Sequence, residues 1–189
     1  TGTRQISNEE TFVKALNWVS ANKDRFNIQA VAISQGHHNL APIAEYCPNT
    51  PNTVNIINSL ANQDVPVFIS AGNMRDLKRV SWPGCIPAAV TVSATSVTDG
   101  PAIYTNYDIN RTDMFALGRL RLINPDGYFF TEDGTSVSNQ VAAAIYVGLK
   151  SKNPTYNRTQ VLDLMKQKSY PVKSKTITGF IVTQDALNG

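Results

Sequence analysis

Val65-Pro-Val-Phe-Ile-Ser70-Ala71-Gly72-Asn73 is the stretch on which the fold turns. Val65–Ser70 is short, apolar and rich in branched and aromatic residues, and it stops at a turn-forming Ala-Gly-Asn. A run of that length with that boundary reads as a buried strand. On its N-terminal side, Val54, Ile57, Leu60 and Ala61 recur at helical spacing. Residues 39–52 hold three prolines with Asn39, Asn49 and Asn52, and read as a loop. Ile28–Ser34 is a second buried strand, stopped by Gln35-Gly-His-His-Asn39. Before it, Phe12, Val13, Leu16 and Val19 share one helical face, and Ser7 with Glu10 forms a capping-box pattern.

The C-terminal side continues the alternation. Ala89–Ala94 is a third strand, and Met114–Leu117, Leu120–Ile123 and Tyr128–Thr131 are shorter ones. A long helix is expected after Gly134, with Val141, Ala144, Ile145, Gly148 and Leu149 on its apolar face and Pro154 as its stop. Asn157 and Gln160 form a second capping box before a helix carrying Val161, Leu162 and Met165. Thr178–Val182 closes the chain as a strand or edge. Helices and strands in this order predict an α/β fold, a parallel sheet with covering helices. No repeat or linker divides the chain, so residues 1–189 read as part of one domain.

Composition removes several function classes. A net charge of +3 is mild, and the basic clusters at Arg75–Arg79 and Lys166–Lys175 do not alternate with aromatics. They read as solvated faces, and no nucleic-acid partner is expected. No apolar run reaches the length of a membrane span. Cys47, Cys85, His37 and His38 lack metal-ligand spacing, and no metal site is expected.

Two places carry chemistry. Gly134-Thr135-Ser136 opens a helix, where unpaired backbone N–H groups and the positive end of the helix dipole favour an oxyanion beside the serine. The plainer reading is an N-cap, the commoner use of Ser and Thr there. Ser70-Ala71-Gly72-Asn73 lies at a strand's C-terminal end, where ligands of parallel sheets bind, and Asn73 offers an amide donor. The plainer reading here is a turn.

The order of these pieces resembles the subtilisin-like (subtilase) family of serine peptidases. Val31-Ala-Ile-Ser34-Gln-Gly36 is similar to the family's strand ending in Ser-x-Gly. Pro66–Asn73 is similar to its Ala-Gly-Asn strand, and Trp82-Pro83-Gly84 through Val92 to its aromatic-Pro segment and the strand beyond. Phe115-Ala-Leu-Gly118 resembles its Val-Ala-Pro-Gly turn. Gly134–Ser138 with Val141–Ala144 resembles the nucleophile motif and helix, and Thr178–Val182 the closing segment. The resemblance implies a three-layer αβα fold with a mostly parallel sheet. It implies Ser136 as nucleophile and Asn73 as oxyanion donor. Ser34, Gln35 and Gly36 would bind substrate backbone and form one wall of the specificity pocket, with Ala71 and Gly72 part of another. The implied activity is peptide-bond hydrolysis through an acyl-enzyme, on a polypeptide substrate, with no cofactor; the family's commoner calcium sites are not recognisable here. The resemblance also implies a cis bond before Pro83. It allows a Cys47–Cys85 disulfide, which would suit an oxidising, extracellular setting.

The family's catalytic Asp and His precede the Ser-x-Gly strand, and neither of their motifs stands in this chain, which opens on Thr1-Gly2-Thr3. The expectation is therefore the C-terminal part of a peptidase domain whose N-terminal strands are missing, with that N-terminal part as partner. His37 or His38 as a substitute base is a weaker alternative. Asn139, Gln140 and Val141 depart from the nucleophile motif, Gln35 from the substrate strand and Leu117 from the Pro of the turn. They leave open an inactive subtilase-fold subunit with a binding or structural role.

Overall fold

Side chains alternate across the strand at Val65–Asn73, and that alternation sets the layers. In the computed structural model, which describes residues 9–37, 47 and 49–188, Val67–Ser70 forms β2, buried along its whole length. Val67 and Ile69 pack with Leu16 of α1 (Glu9–Phe26) and with Ile56, Ile57 and Leu60 of α2 (Pro51–Asn62). Phe68 points the other way. It packs with Ala142, Ile145, Tyr146 and Leu149 of α3 (Thr135–Lys152) and with Val161 and Met165 of α4 (Arg158–Gln167). One pair of helices therefore covers each face of the sheet, giving three layers. Each fully buried anchor such as Leu60 contributes on the order of 1.5–3 kcal/mol of transfer free energy.

The main sheet runs β1 (Val31–Ile33), β2, β3 (Val90–Thr95), β4 (Met114–Leu117), β8 (Phe180–Ile181) and β7 (Tyr170–Pro171). Every pair is parallel except β7 with β8. β5 (Arg119–Ile123) and β6 (Phe129–Asp133) form a separate antiparallel ribbon whose register sets Arg119 opposite Asp133. Among the described residues nothing pairs with the outer edge of β1. A groove of about 330 Å³ runs between that strand and α1, lined by Phe12, Ala15, Leu16, Val19, Val31 and Ile33.

Several boundaries differ from the sequence reading. Strands expected from Ile28 and Val65 begin at Val31 and Val67. Pro66 lies between them and has no N–H to give the ladder; its carbonyl accepts from Val31 N at 2.9 Å, and pairing starts one step later. In α3, Ala144 is exposed, while Ala142, Ala143 and Tyr146 are buried. Three consecutive alanines give no polarity contrast to fix the face. β7 was not anticipated; it is two residues long and contains a proline. The Asn157–Gln160 capping box is formed in both directions at the start of α4. Ser7 of the first box lies outside the described residues.

Candidate active site

The C-terminal end of β2 and the N-terminal end of α3 meet. Asn73 Oδ1 accepts from Thr135 N at 2.9 Å and from Thr135 Oγ1 at 2.8 Å. Thr135 Oγ1 in turn accepts from Gly72 N at 3.1 Å. Thr135 is almost completely buried, so this hydroxyl is fixed on both sides. The loop after the strand and the first turn of the helix are thus tied through one side chain.

That tie orients the Asn73 amide. Its oxygen is taken by Thr135, and its nitrogen lies over Gly134. A Cβ placed on Gly134 would stand 3.2 Å from Asn73 Nδ2 and 3.6 Å from Ser136 N. The open side of this glycine is therefore a small space flanked by two N–H donors, one from a side chain and one from the first turn of a helix. Gly134 has φ 152 and ψ 161, a region populated almost entirely by glycine. Its N–H donates to Gly118 O at 2.9 Å.

Ser136 is half-buried, in the first turn of α3. Its Oγ donates to Ser34 O at 3.4 Å. Ser34, Gln35, Gly36 and His37 are all exposed beyond the end of β1. His37 and Trp82 exchange backbone hydrogen bonds of 2.7 and 3.0 Å, which holds this segment against the Trp82–Pro83 turn. The Trp82–Pro83 bond is cis. Ala71 is fully buried; it donates to Val92 O at 2.9 Å and accepts from Ser81 N at 2.7 Å. Cys47 and Cys85 form a disulfide with Cα atoms 5.9 Å apart, packed near Ala71, Val80 and Trp82.

All seven predicted site residues therefore gather at the C-terminal end of the parallel strands. Ser34 meets Ser136, Gly72 and Asn73 meet Thr135, and Gly36 lies against Ser81 and Trp82. His38 lies outside the described residues.

Sequence reasoning missed two positions. Thr135 was read only as part of a motif, yet it is the joint between loop and helix. Asn106 carried no signal at all. It is fully buried, and its Oδ1 accepts from Met74 N at 2.8 Å and Asp76 N at 3.1 Å. Its own N–H donates to Gly72 O at 2.9 Å. Asn106 thus shapes the loop that carries Asn73.

Beside Gly134, Asp133 receives two hydrogen bonds from Arg119, at 2.7 and 2.8 Å. These bonds hold the Asp133 carboxyl below the usual carboxylate range. Tyr104 donates to Gly118 O at 2.7 Å, and its burial raises the phenol above its ordinary value. Among the described residues no three His, Cys, Asp or Glu side chains converge as a metal site. No helix among them is long and apolar enough to cross a membrane.

A mostly parallel sheet in a three-layer arrangement, with the Asn73 side chain tied to the first turn of the serine-bearing helix at the C-terminal end of its strands, defines a subtilisin-like α/β protein. The chain belongs to the subtilase family: the family's profile, described as "Subtilase family", matches residues 2–184. Solved structures share the fold. A cold-adapted subtilisin-like serine proteinase superposes with a TM-score of 0.77 at 18% identity, covering 93% of this chain and 61% of that one. The prenylagaramide maturation protease PagA gives 0.76 at 15% identity, covering 93% and 62%. A protease from Pseudoalteromonas arctica gives 0.68 at 21% identity, covering 84% and 50%. The chain thus spans between half and about three-fifths of the length of these structures. No curated protein matches the sequence.

Proposed function

We propose that this chain is the nucleophile-bearing part of a subtilisin-like serine endopeptidase. One observation carries the reading: Asn73 Nδ2 and Ser136 N flank a single small space over Gly134, at the start of the helix whose first turn carries the Ser136 hydroxyl. Two convergent N–H donors next to a hydroxyl are what acyl transfer needs, because charge develops on the carbonyl oxygen as the hydroxyl attacks.

The steps follow from these groups. A base takes the Ser136 proton, and Oγ attacks the scissile carbonyl of a polypeptide. The oxyanion forms between Asn73 Nδ2 and Ser136 N–H. Collapse breaks the C–N bond, the leaving amine takes the proton from the base, and Ser136 holds the acyl group until water removes it. Substrate backbone lies along Ser34–Gly36, with Gly72 opposite; Ala71, fully buried with both backbone groups bonded inside the protein, backs that wall without reaching substrate. No cofactor enters these steps. Ser136 Oγ now donates to Ser34 O, so a base must draw that proton away from a weak, long hydrogen bond.

The acid–base pair is assigned to an N-terminal part of the same domain. That part would pair with the outer edge of β1 and cover the apolar groove against α1. The Cys47–Cys85 disulfide suits an oxidising, extracellular setting.

The test is fluorophosphonate labelling of the full gene product, alongside Ser136→Ala and Asn73→Ala. Labelling is expected to vanish with Ser136→Ala. With Asn73→Ala it should slow by roughly 10²–10³, a magnitude that comes from an oxyanion asparagine of this same family. Absence of Ser136-dependent labelling defeats the peptidase and leaves the inactive, binding subunit as the reading.

A further inference from the structure

Asn139 and Gln140, which depart from the family's nucleophile motif, lie one turn beyond Ser136 and point toward the end of β1. Asn139 is fully buried, so its amide must find partners inside the protein. Its Nδ2 donates to Ile33 O at 2.7 Å and more weakly to Phe68 O at 3.5 Å, bridging the end of β1 and the middle of β2. Its Oδ1 accepts from Ser34 Oγ at 3.2 Å. Gln140 is exposed, and its Nε2 donates to Ser34 Oγ at 3.2 Å. The one proton of Ser34 Oγ is shared between Asn139 Oδ1 and Ser136 O, the latter at 3.1 Å. A donor from Gln140 uses the hydroxyl's lone pair and leaves that proton for its two acceptors.

We infer that Ser34, Asn139 and Gln140 form a clasp that fixes the gap between Ser136 and the Ser34–Gly36 edge. Asn139 and Gln140 are then positioning residues for the reaction proposed at Ser136, and in that respect the inference rests on the peptidase reading. The clasp spans the two elements that must hold nucleophile and substrate at a set separation. Every polar atom of the Asn139 amide is used in it. Neither residue needs to touch substrate; Gln140 acts through Ser34, and Asn139 through Ser34 and the Ile33 carbonyl. The two departures from the motif thereby gain a common role, since each supplies a hydrogen-bonding side chain to the same serine hydroxyl.

The discriminating variants are Gln140→Leu, Ser34→Ala and the double substitution, made in the full gene product. Gln140 is on the surface, so Gln140→Leu is expected to leave the melting temperature unchanged. It should slow fluorophosphonate labelling by about three- to tenfold, the size of one neutral hydrogen bond. On a peptide substrate kcat should fall by the same factor with little change in KM. The double variant should be no slower than Ser34→Ala alone, because both act on one hydroxyl. Amide hydrogen exchange over residues 34–37 provides a readout independent of catalysis, and should quicken in Gln140→Leu. Wild-type labelling with an unaffected Gln140→Leu, or additive losses in the double variant, overturns the clasp and spares the peptidase. If the wild type is not labelled, the peptidase reading falls; unchanged exchange over 34–37 then overturns the clasp separately.

Discussion

Gly134→Ala is the sharpest perturbation of the site, because one methyl group acts twice. The backbone there stands at φ 152 and ψ 161, a conformation that costs a residue with a side chain about 1–3 kcal/mol. At a chain length of 189 residues, each kcal/mol lowers Tm by roughly 2–4 °C. The added methyl carbon would also stand 3.2 Å from Asn73 Nδ2, closer than relaxed carbon–nitrogen contact, in the space flanked by that donor and Ser136 N. Activity should therefore fall further than stability explains. Gly127→Ala separates the two effects. Gly127 has φ 84, in the β5–β6 turn, and nothing lies within 4 Å of its would-be Cβ. It should lower Tm by backbone strain alone and leave labelling intact. The assays are thermal unfolding by fluorescence and the second-order rate of fluorophosphonate labelling. A Gly134→Ala protein that melts and labels like the wild type would refute both the strain and the donor-flanked space. Equal loss of labelling in Gly127→Ala would show that the effect on the site is not local.

Three further outcomes are expected. Cys47 and Cys85 close a loop with a sequence separation of 38, so replacing both with serine should cost about 4 kcal/mol on the chain-entropy estimate; a melting temperature indifferent to reducing agent would contradict this. Tyr146 is fully buried, its hydroxyl has no hydrogen-bond partner among the described residues, and burial pushes its phenol up to about 12. Tyr146→Phe should be neutral or stabilising, since the lost hydroxyl gives up no bond, and a clear fall in Tm would reveal a partner. Arg119 holds the Asp133 carboxyl low, so this pair's contribution is present above the ordinary carboxylate range and is lost as pH falls through the lowered value. Arg119→Gln should move the Asp133 carboxyl resonance in NMR titration up toward the ordinary range; an unmoved titration would exclude Arg119 as the cause.

The parts legible in sequence were those with a period or a fixed neighbour. Helical spacing placed α1, α2 and α4, and apolar runs stopped by a glycine-containing turn placed β1 and β2. Ser136 and Asn73 stand in recognisable local motifs, so the approach of the loop after β2 to the first turn of α3 followed from the order of those motifs. The rest depends on long-range contacts that leave no local trace. Asn106 sits in an aperiodic stretch and acts on backbone groups about 30 positions away. Asn139 and Gln140 stood out only as departures from a pattern, and what they do depends on where the end of β1 comes to rest. Pro66 was visible, yet its effect on strand length required knowing which residue of the neighbouring strand it would stand beside.

The bond from Thr135 to Asn73 has a consequence for how this protein tolerates change. The separation between donor and serine is set by a side-chain joint and not by the length of chain between them. The partly exposed turn 96–100, beyond the end of β3, could lengthen or shorten without moving the Asn73 amide relative to α3, so long as Thr135 keeps its two partners and Asn106 still reaches the loop. Diversification of the surface around the cleft is thereby uncoupled from the alignment of the reacting groups, and loop exchange in that region is a workable route to new substrate preferences.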